Sequence, residues 1–120
     1  MDTPFAAMRE PTYFVLASLL DGPLHGYGII KRTEQLSNGR VKLATGTLYT
    51  ALDRLSGEGY IRVAGEETVS GRPRRSYELT ENGAAALNAE AARMAEAARI
   101  VISPAAGFRA GPAGRQVRPA

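Results

Sequence analysis

A chain of 120 residues, 44% of them hydrophobic, has room for one modest core and not for two. With no cysteine and a single histidine it can build neither a disulfide framework nor a thiolate nucleophile, and no metal or other cofactor is expected. The formal net charge is +3, but Arg109, Arg115 and Arg118 carry all of it after Ile102, so a surface for a polyanion has to be argued from local clustering.

Residues 1–10 read as a flexible start. Pro11 suits the first turn of a helix, and Tyr13, Leu16, Ala17 and Leu20 then form a helical stripe. Val15 and Leu19 are apolar as well, so this helix is buried on more than one side, which suggests a second subunit against Leu16 and Leu19. Tyr13 to Leu20, the most apolar stretch, is too short to span a bilayer, and the N-terminus lacks the pattern of a signal peptide. No membrane association and a cytoplasmic location are expected.

Asp21-Gly22-Pro23 is a turn, and a second helix starts near His25 or Gly26 and runs to Leu36. Tyr27, Ile29 and Ile30 are expected inward, Lys31, Arg32, Glu34 and Gln35 outward, and His25 reads as a structural cap rather than a metal ligand. Ser37-Asn38-Gly39 closes this helix, and Val41-Lys42-Leu43 reads as a short extended piece.

Thr45 then suits the N-cap of a third helix, in which Leu48, Leu52 and Leu55 recur on one face and must dock on a core. Gly46, Thr47, Thr50 and Arg54 are placed opposite, with Tyr49 at the edge, a face of small hydroxyls and one guanidinium that fits a DNA major groove. Gly57 and Gly59 end the helix, Gly59 being the better left-handed stop.

The period changes next from 3.6 to 2. Ile61 and Val63 share one strand face, as do Tyr77 and Leu79, and the two strands flank a polar loop from Glu66 to Arg75. Arg72, Arg74 and Arg75 concentrate positive charge at its end. Thr80 caps a last helix, whose first turn carries Glu81 and has Gly83 where a capping box would place Glu. Leu87, Ala91, Met94, Ala98 and Val101 then repeat as a heptad seam, most simply satisfied by a second copy of the chain. Residues 103–120 have no period and read as a disordered tail.

This order is mainly α with a small β-hairpin: a winged helix-turn-helix over 11–80, followed by a C-terminal dimerisation helix over 81–102. A helix in the major groove with an arginine-bearing hairpin beside it is a DNA-reading arrangement, with Lys42, Thr45, Gly46, Thr47, Tyr49, Thr50, Arg54, Arg72, Arg74 and Arg75 as candidate contacts. If the three wing arginines and Lys42 neutralise about four phosphates per subunit, log K falls with log salt with a slope near −7 per dimer, at about −0.9 per contact. Catalysis fails on inventory: the carboxylates are scattered, and no second histidine or phosphate loop is present. The competing reading is a winged helix used as a protein-interaction module, although such modules tend to lose the basic tip.

Three blocks, Leu24 to Ile29, Gly46 to Leu55 running into Gly59-Tyr60-Ile61, and Gly71 to Gly83, together resemble the PadR family of bacterial transcriptional regulators. The resemblance covers residues 11–102. It implies a homodimeric repressor with the third helix and wing on double-stranded DNA, the last helix for dimerisation, and control by a small hydrophobic or phenolic effector. It fits the branch of the family with one C-terminal helix. Thr50 stands where many members carry Pro, and no tryptophan is present for the ligand stacking known in some short members.

Overall fold

The computed structural model describes residues 5–102. The expected tail at 103–120 and the first four residues of the expected flexible start lie outside this range. Helix α1 (Glu10–Ser18) leads to a two-residue strand β1 (Leu24–His25), followed by α2 (Gly26–Leu36) and α3 (Thr45–Gly57). Strands β2 (Ile61–Val69) and β3 (Arg72–Leu79) form the wing, and α4 (Glu81–Ile102) completes the chain. The antiparallel sheet has the order β1-β3-β2. This is the winged helix-turn-helix expected from the sequence, with one strand relocated. Leu24 and His25 pair with Tyr77 and Ser76, whereas Val41-Lys42-Leu43, expected as the short extended piece, lies in the connection between α2 and α3 and joins no strand.

One compact unit runs through Glu90 and a second begins at Ala91. The division therefore falls within α4. The core of the first unit gathers Val15, Leu16 and Leu19 from the α1 region, Ile29 from α2, the three α3 leucines, Ile61, Tyr77 and Leu87. Leu16 and Leu19 were expected at a contact with a second subunit, but the chain's own core encloses both, leaving them almost no surface to offer. Leu87, expected on the dimer seam, is buried in the same core. A double-sided apolar helix is explained here by α2, α3 and the start of α4, all within one protomer. Leu20, expected on the α1 stripe, follows the end of that helix and is 62% exposed.

Three local devices hold the readers in place. Ser37 Oγ accepts from the Val41 amide at 2.9 Å, while Asn38 and Gly39 take positive φ, and this closes the α2–α3 connection. Gly59, at φ 81°, ends α3: its N–H donates to the Ser56 carbonyl and that of Tyr60 to the Leu55 carbonyl, both at 3.0 Å, a Schellman stop. Thr80 caps α4 by accepting from the Gly83 amide at 3.0 Å, and its hydroxyl donates to the Gly59 carbonyl at 2.6 Å. A side chain at 83 would run into the carbonyl of Tyr60, so the capping-box Glu is replaced by glycine for steric reasons. Residues 5–9, part of the expected flexible start, pack on this unit: the Phe5 ring meets Tyr60 edge-on and the Met8 amide donates to the Glu90 carboxylate at 3.3 Å.

In the second unit, the described residues are the remainder of α4. Arg99 and Glu96 form an ion pair there, and Met94, Ile100, Val101 and Ile102 are exposed.

Candidate nucleic-acid interface

Helix α3 is fixed by Leu48, Leu52 and Leu55, each at most 1% exposed. At 100° per residue the stripe opposite them is Gly46, Thr50, Asp53 and Gly57, all exposed. Thr47 and Arg54 lie on one flank of that stripe and Tyr49 on the other. Arg54 is engaged within the chain: its Nη2 donates to Thr12 Oγ1 at 3.0 Å and its Nη1 lies 3.5 Å from Glu58 Oε1. Tyr49 extends over the start of α2, where Gly26 leaves the space its hydroxyl occupies. Thr45 is the first helical residue and not the cap: Ala44 takes the cap position and no side chain bonds there. With no acidic residue in the first turn either, the leading amides of α3 remain available to an anion.

The wing differs from the long loop expected over 66–75. Its strands pair continuously from Ile61–Leu79 to Val69–Arg72, with one bulge between Val63 and Gly65, and are joined by a two-residue turn. Ser70 and Gly71 take φ of 52° and 77°, the positive pair of a type I′ turn. The arginines are thus ordered along β3 and sorted by strand alternation, Arg72 and Arg74 on one face and Arg75 on the other. Arg75 Nε lies 3.2 Å from Glu66 Oε2, directly across the ladder. The hydrogen bond to Glu66 and the charge of Glu66 raise the Arg75 pKa, with Tyr77 adding to the effect. Among the described residues Arg72 and Arg74 form no ion pair, so they are the wing's uncommitted cations.

An open groove of about 690 Å³ lies between α3, the start of α2 and the wing, with Tyr49, Asp53, Arg72 and Arg74 among its lining residues. Tyr27, expected inward, is 71% exposed and lines the same groove, with Lys31 over its ring at 5.9 Å from the centroid. His25 makes no cap bond; its Nε2 lies 3.4 Å from Glu67 Oε2 on β2. Lys42 is exposed in the connection ahead of α3.

The structure therefore brings Tyr49, Arg72, Arg74 and Arg75 around one groove, with exposed Gly46 and Thr50 on the adjoining helix face and Thr45 and Thr47 near the start of α3. It engages Arg54 elsewhere. Asp53 and Tyr27 were missed. The helical wheel already places Asp53 opposite the leucines, whereas Tyr27 carries no such signal because an aromatic residue at helical spacing reads as core. Of the expected dimer seam, Ala91 and Ala98 are partly exposed and Met94 and Val101 exposed. Among the described residues no group of three potential ligands could hold a metal ion, and no helix is long and apolar enough to cross a membrane.

A sequence model of the transcriptional regulator PadR-like family matches residues 15–89. Transcriptional regulator Rv3488 of Mycobacterium tuberculosis is 35% identical over 88 residues, which are 73% of this chain and 78% of that protein. A PadR family transcription regulator from Clostridium difficile has the same fold, with a TM-score of 0.65 and 22% identity over 77% of this chain and 94% of that one. Bacillus subtilis PadR, solved in complex with operator DNA, is similar with a TM-score of 0.60 and 26% identity, over 68% of this chain and 46% of that one.

Proposed function

The chain belongs to the PadR-like family of transcriptional regulators, and from that premise we propose that it is a homodimeric repressor reading a pseudo-palindromic operator. Residues 11–80 are the DNA-binding region and 81–102 the dimerisation helix. The observation that carries this reading is the juxtaposition of Tyr49 and Asp53 of α3 with Arg72 and Arg74 around one open groove, beside the exposed Gly46 and Thr50. A helix of this kind enters the major groove while the ribbon beside it reaches the adjoining backbone, as its unpaired guanidinium groups favour. The operator complex of Bacillus subtilis PadR supports the same assignment.

Thr45, Gly46, Thr47, Tyr49 and Thr50 contact the groove or its edges, and Lys42, Arg72 and Arg74 meet phosphates. Arg75 and Arg54 contribute less, since each already holds a partner. Dimerisation uses Ala91, Met94, Ala98 and Val101, the part of the seam that keeps exposed surface. Repression relieved by a small hydrophobic or phenolic effector, in the cytoplasm, follows from the family resemblance.

The test is neutralisation of Arg72 and Arg74 together, with binding measured on duplexes of several sequences. A DNA reader loses affinity for all of them. A winged helix serving as a protein-interaction module binds none of them specifically and is indifferent to the change.

A further inference from the structure

Asp53 sits in the middle of the outward stripe of α3 and lines the groove beneath the wing. Among the described residues its carboxylate enters no ion pair or hydrogen bond. Its neighbours behave differently: Glu58 is held by Arg54, Glu66 by Arg75 and Glu78 by Arg62. An uncommitted carboxylate at the centre of a phosphate-binding surface is repelled by every phosphate it approaches. It gains only where a hydrogen-bond donor is presented to it, and in duplex DNA the donors in the major groove are the amino groups of cytosine and adenine.

The rest of the stripe lets so short a side chain reach a base. Gly46 and Gly57, exposed at the two ends of the stripe, carry no side chain that would hold the helix away from a groove floor. Resting on the DNA-reading role above, we propose that Asp53 is a specificity-determining residue that accepts a hydrogen bond from the N4 amino group of a cytosine in each half-site. Cytosine is favoured over adenine because adenine places the N7 acceptor beside its amino group, where it repels a carboxylate, whereas cytosine offers a donor alone.

The test is selection of bound sequences from a random duplex pool by the full-length wild-type protein and by the Asp53→Ala and Asp53→Asn variants. The wild type is expected to enrich a motif with one cytosine per half-site whose replacement costs roughly tenfold in affinity. Asp53→Ala loses the preference at that position and keeps the others. Asp53→Asn moves it to adenine, whose N6 and N7 an amide can engage together. Variants that retain the wild-type motif while binding every sequence more tightly overturn the assignment, because the carboxylate is then only a source of repulsion. A wild-type protein that enriches no motif overturns the DNA-reading role itself, and this assignment with it.

Discussion

The hydroxyl of Tyr49 on α3 occupies the space that a β-carbon on Gly26 of α2 would need. The two helices of the helix-turn-helix are therefore set by a glycine under a tyrosine, and the same ring forms one wall of the groove beneath the wing. Gly26→Ala is expected to destabilise the protein by no more than about 1 kcal/mol, below the usual cost of overpacking a core, because the obstructing atom is the outer end of the exposed Tyr49 ring, which can turn aside. In a Tyr49→Ala background the cost should vanish, giving a coupling of up to about 1 kcal/mol between the two positions. Chemical denaturation of the four proteins measures it, and additive effects would separate the two residues.

Gly83 faces a harder obstacle. The atom in the way is the Tyr60 carbonyl oxygen, which also accepts from the Thr80 amide at 3.0 Å and cannot swing aside as a side chain would. Gly83→Ala is expected to cost about 3 kcal/mol or more, at the upper end for overpacking. The same denaturation experiment reads it, and a cost below about 1 kcal/mol would mean that the β3–α4 junction yields easily.

These two glycines mark what a sequence makes legible. The leucine stripe of α3, the Gly59 stop and the Thr80 cap follow from spacing and local chemistry, and the order of elements identifies the winged helix. Gly26 and Gly83 show their purpose only when the atom opposite each is known. Strand β1 is too short to express a period. The wing reads as a loop because Glu66-Glu67, Ser70-Gly71 and Pro73 are poor strand formers by composition; the ladder is stabilised by cross-strand pairs such as Glu66–Arg75 and Arg62–Glu78, visible only once the register is fixed. Leu16, Leu19 and Leu87 point to a partner in sequence because apolar periodicity does not say whose core it fills.

The wing arginines are expected to differ in their effect on salt dependence. If Arg72 and Arg74 each meet one phosphate in both subunits of a dimer, Arg72→Ala combined with Arg74→Ala should make the slope of log K against log salt shallower by about 3 to 4. Arg75→Ala should change it less, because Glu66 already competes for that guanidinium. Titrations of a labelled duplex at several salt concentrations measure both slopes. A change from Arg75→Ala as large as half that of the double variant would show that the intramolecular pair gives way on DNA.

Met94 is 41% and Val101 78% exposed, so substituting them leaves the protomer core intact. Met94→Glu with Val101→Glu is expected to yield a folded monomer at micromolar concentration, seen by sedimentation together with an unchanged circular dichroism spectrum. A double variant that remains dimeric would move the interface away from this part of α4.

On the proposed reading, α3 and the wing of two protomers read DNA as a symmetric pair. Selection from a random duplex pool by the purified wild-type protein tests it most directly. An enriched inverted repeat with half-sites about one helical turn apart, ~34 Å, is the expected result; a pool that yields no inverted repeat contradicts the account.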